Sequence, residues 1–318
     1  MDNKRITVLG AGGFIGSHMV AYLKEKGHFV RAIGKSFPQM RTPLFSQADE
    51  ILHADIIDLR AAIRACQEVD YVINLAADMG GVGYFSKKEY EPFIRNMTID
   101  MNVMKACELT GVKRLLYASS ACIYPVSLQM QEGKAPKLAE NMILPADCDQ
   151  MYGWEKLMGL KLCEKAPYDA RVAILNTVFG PYQEIDGEKR KFPTAIAMKS
   201  LESKKTGNPI EIWGNGKQIR SFIYIDDALE KLYRVLFSDA YFGPVNVASE
   251  DAKSVVEYAD ICCEILDIPK NYIFKEAEPS GVLARNTDNT NFKNWYQYDN
   301  QVTTKEGFTR LIDWIQTQ

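Results

Sequence analysis

Apolar and polar positions follow two different periods along the first half of the chain. Short apolar runs bounded by turn residues fall at 6–9, 29–33, 71–75, 115–118 and 171–175. Each is nearly continuous rather than alternating, the pattern of strands buried on both faces. Between them lie stretches with helical spacing at 17–26, 58–66, 94–110 and 152–165. Strand and helix in regular succession predict a doubly wound α/β fold of the Rossmann kind, a parallel sheet covered on both sides.

Beyond residue 176 the alternation loosens. Turn signals such as Gly180-Pro181, Asp186-Gly187, Gly207-Asn208 and Gly243-Pro244 become frequent. Helices are predicted at 191–203, 225–237, 254–266 and 304–316, the second following a strand-like SFIYI segment and packing back on the sheet. The expected division is a nucleotide-binding domain over 1–176, with 222–240 added to it. A smaller mixed α/β substrate lobe is then built from 177–221 and 241–318.

Composition narrows the class. With 318 residues, 47% hydrophobic and 25% charged, the chain has the balance of a folded globular protein. A net charge of -3 makes no electrostatic case for nucleic acid or an anionic membrane. The apolar runs fall well short of the roughly 18 residues that span a bilayer. The first residues lead straight into a predicted strand, so no signal-peptide core is expected. The seven cysteines are odd in number and form no Cys-x-x-Cys pair, which points to reduced thiols and a cytoplasmic protein. Three histidines, none four residues from another, give no reason to expect a metal site.

Chemistry enters at Gly10-Ala11-Gly12-Gly13-Phe14-Ile15-Gly16, between the first strand and the first helix. Gly10 suits the tight turn, Gly13 a close approach of backbone to a pyrophosphate, and Gly16 close helix–strand packing. Free N–H groups at the helix start, on Phe14 and Ile15, would meet the phosphates. The G-x-x-G-x-x-G spacing is that of short-chain dehydrogenase/reductases, and later segments agree with it. Asn74-Leu75-Ala76-Ala77 ends the third run, Ser119-Ser120 closes the fourth, and Tyr152-Gly153-Trp154-Glu155-Lys156 opens a helix. Tyr152 and Lys156, four residues apart, share a helix face. There the ammonium can stabilise a phenolate and hold the nicotinamide ribose, with Ser120 completing the hydrogen-bond path. Asp58 and Leu59 are the expected adenine contacts. The second strand ends on Arg31-Ala32-Ile33-Gly34-Lys35, with no acidic residue to receive a ribose 2′-hydroxyl. NAD is the expected cofactor, and Arg31 and Lys35 leave NADP open.

These stretches resemble the extended short-chain dehydrogenase/reductases and, among them, the GDP-mannose 3,5-epimerases. The resemblance is carried by GAGGFIGSH, NLAADMGGVG, GVKRLLYASSACIYP, YGWEKL, EIWGNGKQIRSFIYIDD, PVNVAS and GVLARNTDN, spread over nearly the whole chain. It implies oxidation of the sugar at C4 by tightly held NAD, acid/base exchange of hydrogens at C3 and C5, and return of hydride to C4. Tyr152 would handle the C4 hydroxyl proton. Cys122 aligns with the family's catalytic cysteine and Lys191 with its catalytic lysine. On the residues alone, Cys122 also reads as a small buried side chain, and Lys191 as part of the solvated run Lys189-Arg190-Lys191. For the substrate, the resemblance points to Lys199, Arg220 and Arg285 on the diphosphate and to Met79, Gly80 and Gly81 around the sugar. The family's diphosphate asparagine falls at Thr177, with Asn176 one residue early, and the 125–148 segment has diverged. A GDP-linked nucleotide sugar is the expected substrate. A 4-dehydrogenase, 4-epimerase or 4-keto-reductase acting on a GDP- or UDP-sugar is the alternative. Helices 94–110 and 152–165, apolar on more than one face, imply a homodimer through a four-helix contact.

Overall fold

The computed structural model describes residues 3–38, 42–85, 88–131, 135–187 and 189–318. Its strands, in chain order, are β1 (Arg5–Leu9), β2 (Phe29–Gly34), β3 (Glu50–His53), β4 (Tyr71–Asn74), β5 (Arg114–Ser120), β6 (Lys137–Leu138), β7 (Asp169–Leu175), β8 (Thr177–Phe179), β9 (Ile210–Trp213), β10 (Ile219–Tyr224), β11 (Val245–Val247), β12 (Ala252–Ser254), β13 (Tyr272–Lys275) and β14 (Ala284–Thr287). Helices separate them. They are α1 (Phe14–Glu25), α2 (Thr42–Phe45), α3 (Leu59–Cys66), α4 (Val82–Phe85), α5 (Tyr90–Thr110), α6 (Val126–Gln129), α7 (Gln150–Cys163), α8 (Phe192–Thr206), α9 (Ile225–Phe237), α10 (Val255–Leu266), α11 (Thr290–Tyr296) and α12 (Thr304–Gln316).

Among the described residues, seven strands form one sheet in the order β11-β7-β5-β4-β1-β2-β3, every pair parallel. The central strands are buried on both faces, with Ile6, Val8, Val30, Val72, Leu115 and Ile174 almost wholly withdrawn from solvent. Burial of this kind stabilises by roughly 25 cal/mol per Å² of apolar surface, enough to set the register against a one-residue slip. The strand order reverses between β1 and β4, where a doubly wound sheet opens a crevice at its carboxyl end.

Two differences from the expected division stand out. The short edge strand β3 has no apolar run to announce it, because Ile51 and Leu52 are 38% and 42% exposed. The 245–247 segment, placed by pattern in the smaller lobe, instead hydrogen-bonds to β7 and extends the large sheet. Its VNV sequence is fully buried there. Helix α9 packs on α1, β5 and β7. The remaining strands form a five-stranded sheet around β10 and a two-stranded pair, β13 with β9. Among the described residues no helix is long and apolar enough to cross a membrane.

Candidate active site

The crevice is built from glycine outward. Gly10 has φ +79°, a left-handed conformation, and a Cβ there would lie 2.8 Å from the Leu75 carbonyl and the Ala76 nitrogen. A Cβ on Gly16 would run into the Gly10 carbonyl. Gly13 is the N-cap of α1 and brings no side chain to satisfy the first-turn N–H groups of Phe14, Ile15 and Gly16. Leu75, Ala76 and Ala77 leave β4 directly opposite, with the Leu75 N–H bonded to the Leu9 carbonyl at 3.1 Å. A helix start without its own cap, cradled by positions where a methyl group would not fit, suits a dinucleotide pyrophosphate.

The adenosine end differs in detail from expectation. The Asp58 carboxylate is engaged in capping α3, accepting from the Arg60 N–H at 2.9 Å, and Leu59 is the first residue of that helix. Arg31 turns away from the crevice. Its Nε bonds Glu50, and its Nη1 bonds the carbonyls of Ala65 and Gln67 at 3.2 and 2.7 Å. Arg31 therefore does not face a ribose phosphate, and of the two cations that left NADP open only Lys35 faces outward. Lys35 lies 3.8 Å from Asp55, whose carboxylate is also held by Arg95 at 2.8 Å.

Tyr152 and Lys156 lie on the buried face of α7, the Lys156 Nζ 5.8 Å from the centre of the Tyr152 ring. Burial pushes the phenol up, while the Lys156 charge and a hydrogen bond from Ser120 pull it down. Burial opposes the charged form of Lys156, but Glu155 and Asp100 outweigh it and hold the ammonium protonated. The Ser120 Oγ also accepts from the Cys122 N–H at 3.2 Å and starts the 3-10 turn Ala121–Ile123. Helix α7 lies directly against that turn, because Gly153 has no side chain to collide with the Cys122 carbonyl. This packing joins two motifs 31 residues apart: the Tyr–Lys helix and the cysteine turn.

Cys122 is partly exposed, unlike the other six cysteines, and borders the aromatic cluster of Tyr84, Phe85 and Tyr152 with Met79. The Phe85 ring stacks on Tyr152 at 5.1 Å. Lys191 enters as the N-cap of α8, in the segment whose Arg190 carbonyl faces Gly81. It is partly buried. Desolvation holds its ammonium below the ordinary lysine range, against the charge of nearby Cys122. Gly81 brings the two sides together, since a Cβ there would lie 2.8 Å from the Arg190 carbonyl oxygen. Asp78 closes the same seam, accepting from Lys189 at 2.6 Å and from the Tyr84 hydroxyl at 3.1 Å.

The residues expected on the substrate divide into two groups. Arg220 and Arg285 are register partners on the parallel strands β10 and β14. Among the described residues Arg220 forms no ion pair. Burial, then the charge of Arg285, pushes it down to about 10, and its Nη2 rests on the carbonyls of Ser280 and Val282. Two adjacent guanidinium groups suit a diphosphate. Arg285, however, is aimed at the cysteine. Its Nη1 donates to Cys122 Sγ at 3.2 Å, its Nε to Gln129 at 2.7 Å and its Nη2 to Asp149. Lys199 donates to the Glu211 carbonyl at 3.0 Å and lies over the Trp213 ring.

Asn176 is a scaffold tie rather than a free ligand. Both its amide hydrogens are engaged, on Ser221 at 2.7 Å and on Thr287 at 2.9 Å, while its oxygen accepts from the Thr177 N–H. Thr177 begins β8, partly exposed. Gly80 owes its lack of side chain to the Tyr84 ring, 2.6 Å from a Cβ built there. Gln129 and Asp149, the supports of Arg285, carry no sequence signature because they converge from distant segments. Asp100 had one, a charged residue among the apolar positions on the inner face of 94–110. Among the described residues no group of His, Cys, Asp and Glu could hold a metal ion.

Sheet order, glycine turn and buried Tyr–Lys pair define a dinucleotide-binding α/β enzyme. The model of the NAD dependent epimerase/dehydratase family matches residues 6–248, so the chain belongs to that family and NAD is its cofactor. It is 35% identical to a GDP-mannose 3,5-epimerase 1 of Oryza sativa subsp. indica, an alignment covering 100% of this chain and 83% of the relative. It is 34% identical to the GDP-mannose 3,5-epimerase of Arabidopsis thaliana over the same shares. A solved UDP-glucose 4-epimerase of Thermotoga maritima superposes with a TM-score of 0.85 at 20% identity, covering 98% of this chain and 99% of that one. That likeness speaks to the fold.

Proposed function

We propose that the protein is a GDP-mannose 3,5-epimerase-like enzyme acting on a GDP-hexose. The observation that carries the reading is that Lys191, desolvated at the N-cap of α8, feels the electrostatic pull of Cys122, which itself packs against Tyr152. Identity of 35% to a named GDP-mannose 3,5-epimerase along the whole chain supports the substrate class. Bound NAD supplies the hydride acceptor and donor for C4 of the sugar; the turn Gly10–Gly16, Leu75, Ala76, Ala77 and Lys156 would hold it.

Tyr152 takes the C4 hydroxyl proton as hydride leaves and gives it back when hydride returns, with Lys156 and Ser120 easing the phenolate. The transient ketone acidifies the hydrogens on the carbons either side. Lys191, its ammonium destabilised by desolvation, has an amine available as base; Cys122 delivers a proton to the other face of the ring. Arg220 neutralises the diphosphate, and Met79 and Gly80 border the sugar. The chain forms a homodimer through α5 and α7. Met151, Trp154, Met158 and Leu162 make an exposed apolar stripe on α7, and Tyr90, Ile94, Met101 and Leu109 make another on α5.

Purified enzyme given GDP-mannose in deuterated water should place deuterium at C3 or C5 without added cofactor. Absence of exchange with every GDP-hexose defeats the reading. Turnover undiminished in both Cys122→Ser and Lys191→Ala replaces it with chemistry confined to C4.

A further inference from the structure

Beneath the Tyr152–Lys156 pair lies a closed polar cluster that the steps above do not use. Glu155 is 0% exposed and Asp100, on α5, 1%. The Lys156 Nζ lies 3.0 Å from Glu155 Oε1 and 3.5 Å from the Tyr117 hydroxyl. The Tyr117 hydroxyl donates to Asp100 Oδ2 at 2.7 Å. Asn74 donates to Asp100 Oδ1 at 3.0 Å, and Asn96 to Glu155 Oε2 at 3.2 Å. Gly159 leaves the room that the Tyr117 phenol occupies against α7.

Two carboxylates therefore face one ammonium in a space closed to water. A buried charge is tolerated only with a partner. Lys156 is in contact with Glu155, so Asp100 is the surplus anion. Burial pushes the Asp100 carboxyl up to about 7, Lys156 pulling against this and Glu155 adding to it. The other titratable neighbours are settled: burial keeps the Tyr117 phenol and the Cys163 thiol protonated.

We infer that Asp100 is a positioning residue for the redox step: its proton sets the net charge of the cluster that holds Lys156 against Tyr152, and so the ease with which the phenol gives up its own proton. The inference rests on the reading of Tyr152 as proton acceptor at C4. With Asp100 protonated, Glu155 and Lys156 balance. With Asp100 ionised, an extra negative charge favours the protonated phenol and damps the rise of C4 oxidation with pH.

The test follows C4 oxidation in single turnovers of the full-length protein loaded with NAD, by the near-ultraviolet absorbance of reduced nicotinamide across a pH series. Asp100→Asn keeps the hydrogen-bonding shape and removes the charge. It should move the rising limb down by about one pH unit, the scale of one unit charge several ångströms away at an effective dielectric constant of about 20. Affinity for GDP-mannose should stay unchanged. Tyr117→Phe removes the donor that favours ionised Asp100 and should displace the limb in the same direction. In the infrared, wild type should show a carboxylic-acid stretch that titrates near neutrality and is missing from Asp100→Asn. A profile of Asp100→Asn superposed on wild type, beside an inactive Tyr152→Phe, overturns the inference alone. Tyr152→Phe oxidising C4 at the wild-type rate overturns the reading of the pair, and the inference with it.

Discussion

Gly81→Ala isolates the seam between the two sides of the active site. The Gly81 backbone is outside the left-handed region, so alanine brings a steric problem and no conformational one. Its Cβ would lie 2.8 Å from the Arg190 carbonyl oxygen and 4.0 Å from the Lys191 Cα. Ordinary van der Waals contact begins near 3.4 Å, so the 189–191 backbone must retreat by about 0.6 Å. Misplacing a reacting group by about 1 Å costs on the order of a hundredfold in rate, which puts this displacement at about tenfold. The loss should fall on exchange at C3 and C5, the step proposed for Lys191. Oxidation at C4, led by Tyr152 on the other side, should change by less than about twofold. Crowding of a partly exposed loop should cost about 1 kcal/mol and lower the melting temperature by about 2 °C. The assay pairs solvent deuterium incorporation, read by mass spectrometry, with single-turnover nicotinamide absorbance. Exchange that survives intact, or C4 oxidation that falls in parallel with it, refutes the argument that this contact positions Lys191 independently of Tyr152.

Three further outcomes follow from the same geometry. Arg285→Ala strands the Asp149 carboxylate and the Gln129 amide; because the pair is 15% and 23% exposed, the loss should be about 2–3 kcal/mol, below that of a fully enclosed pair. Denaturant unfolding would reveal it, and an unchanged midpoint would show that the clamp adds no stability. Burial, against the pull of Asp227, pushes Lys231 down to about 8. Its unfolded value is about 10.4, so the unfolded chain binds more protons between the two and stability should rise with pH across that window. In Lys231→Met that rise should vanish when melting is compared near pH 8 and pH 10. Finally, charging the α7 stripe with Trp154→Glu and Met158→Glu should leave a folded monomer by light scattering; a dimer that persists places the interface elsewhere.

What could be read from the chain alone was local. Continuous apolar runs, the glycine turn and the Tyr152–Lys156 spacing are each set by neighbours in sequence, because strand burial, a tight turn and a shared helix face are properties of short segments. Alignment with the resembled family pointed to Cys122 and Lys191. The tertiary structure decided what came from far apart: that Gly153 seats the Tyr–Lys helix on the cysteine turn, that Arg285 faces sulfur with Gln129 and Asp149 behind it, and that Arg31 and Asn176 serve the scaffold. It also gave the 245–247 segment to the large sheet and joined Asp100 to Glu155 and Lys156. A side chain's charge is visible in the sequence. What that charge does depends on which distant groups share its low-dielectric surroundings, and only the packed molecule determines that.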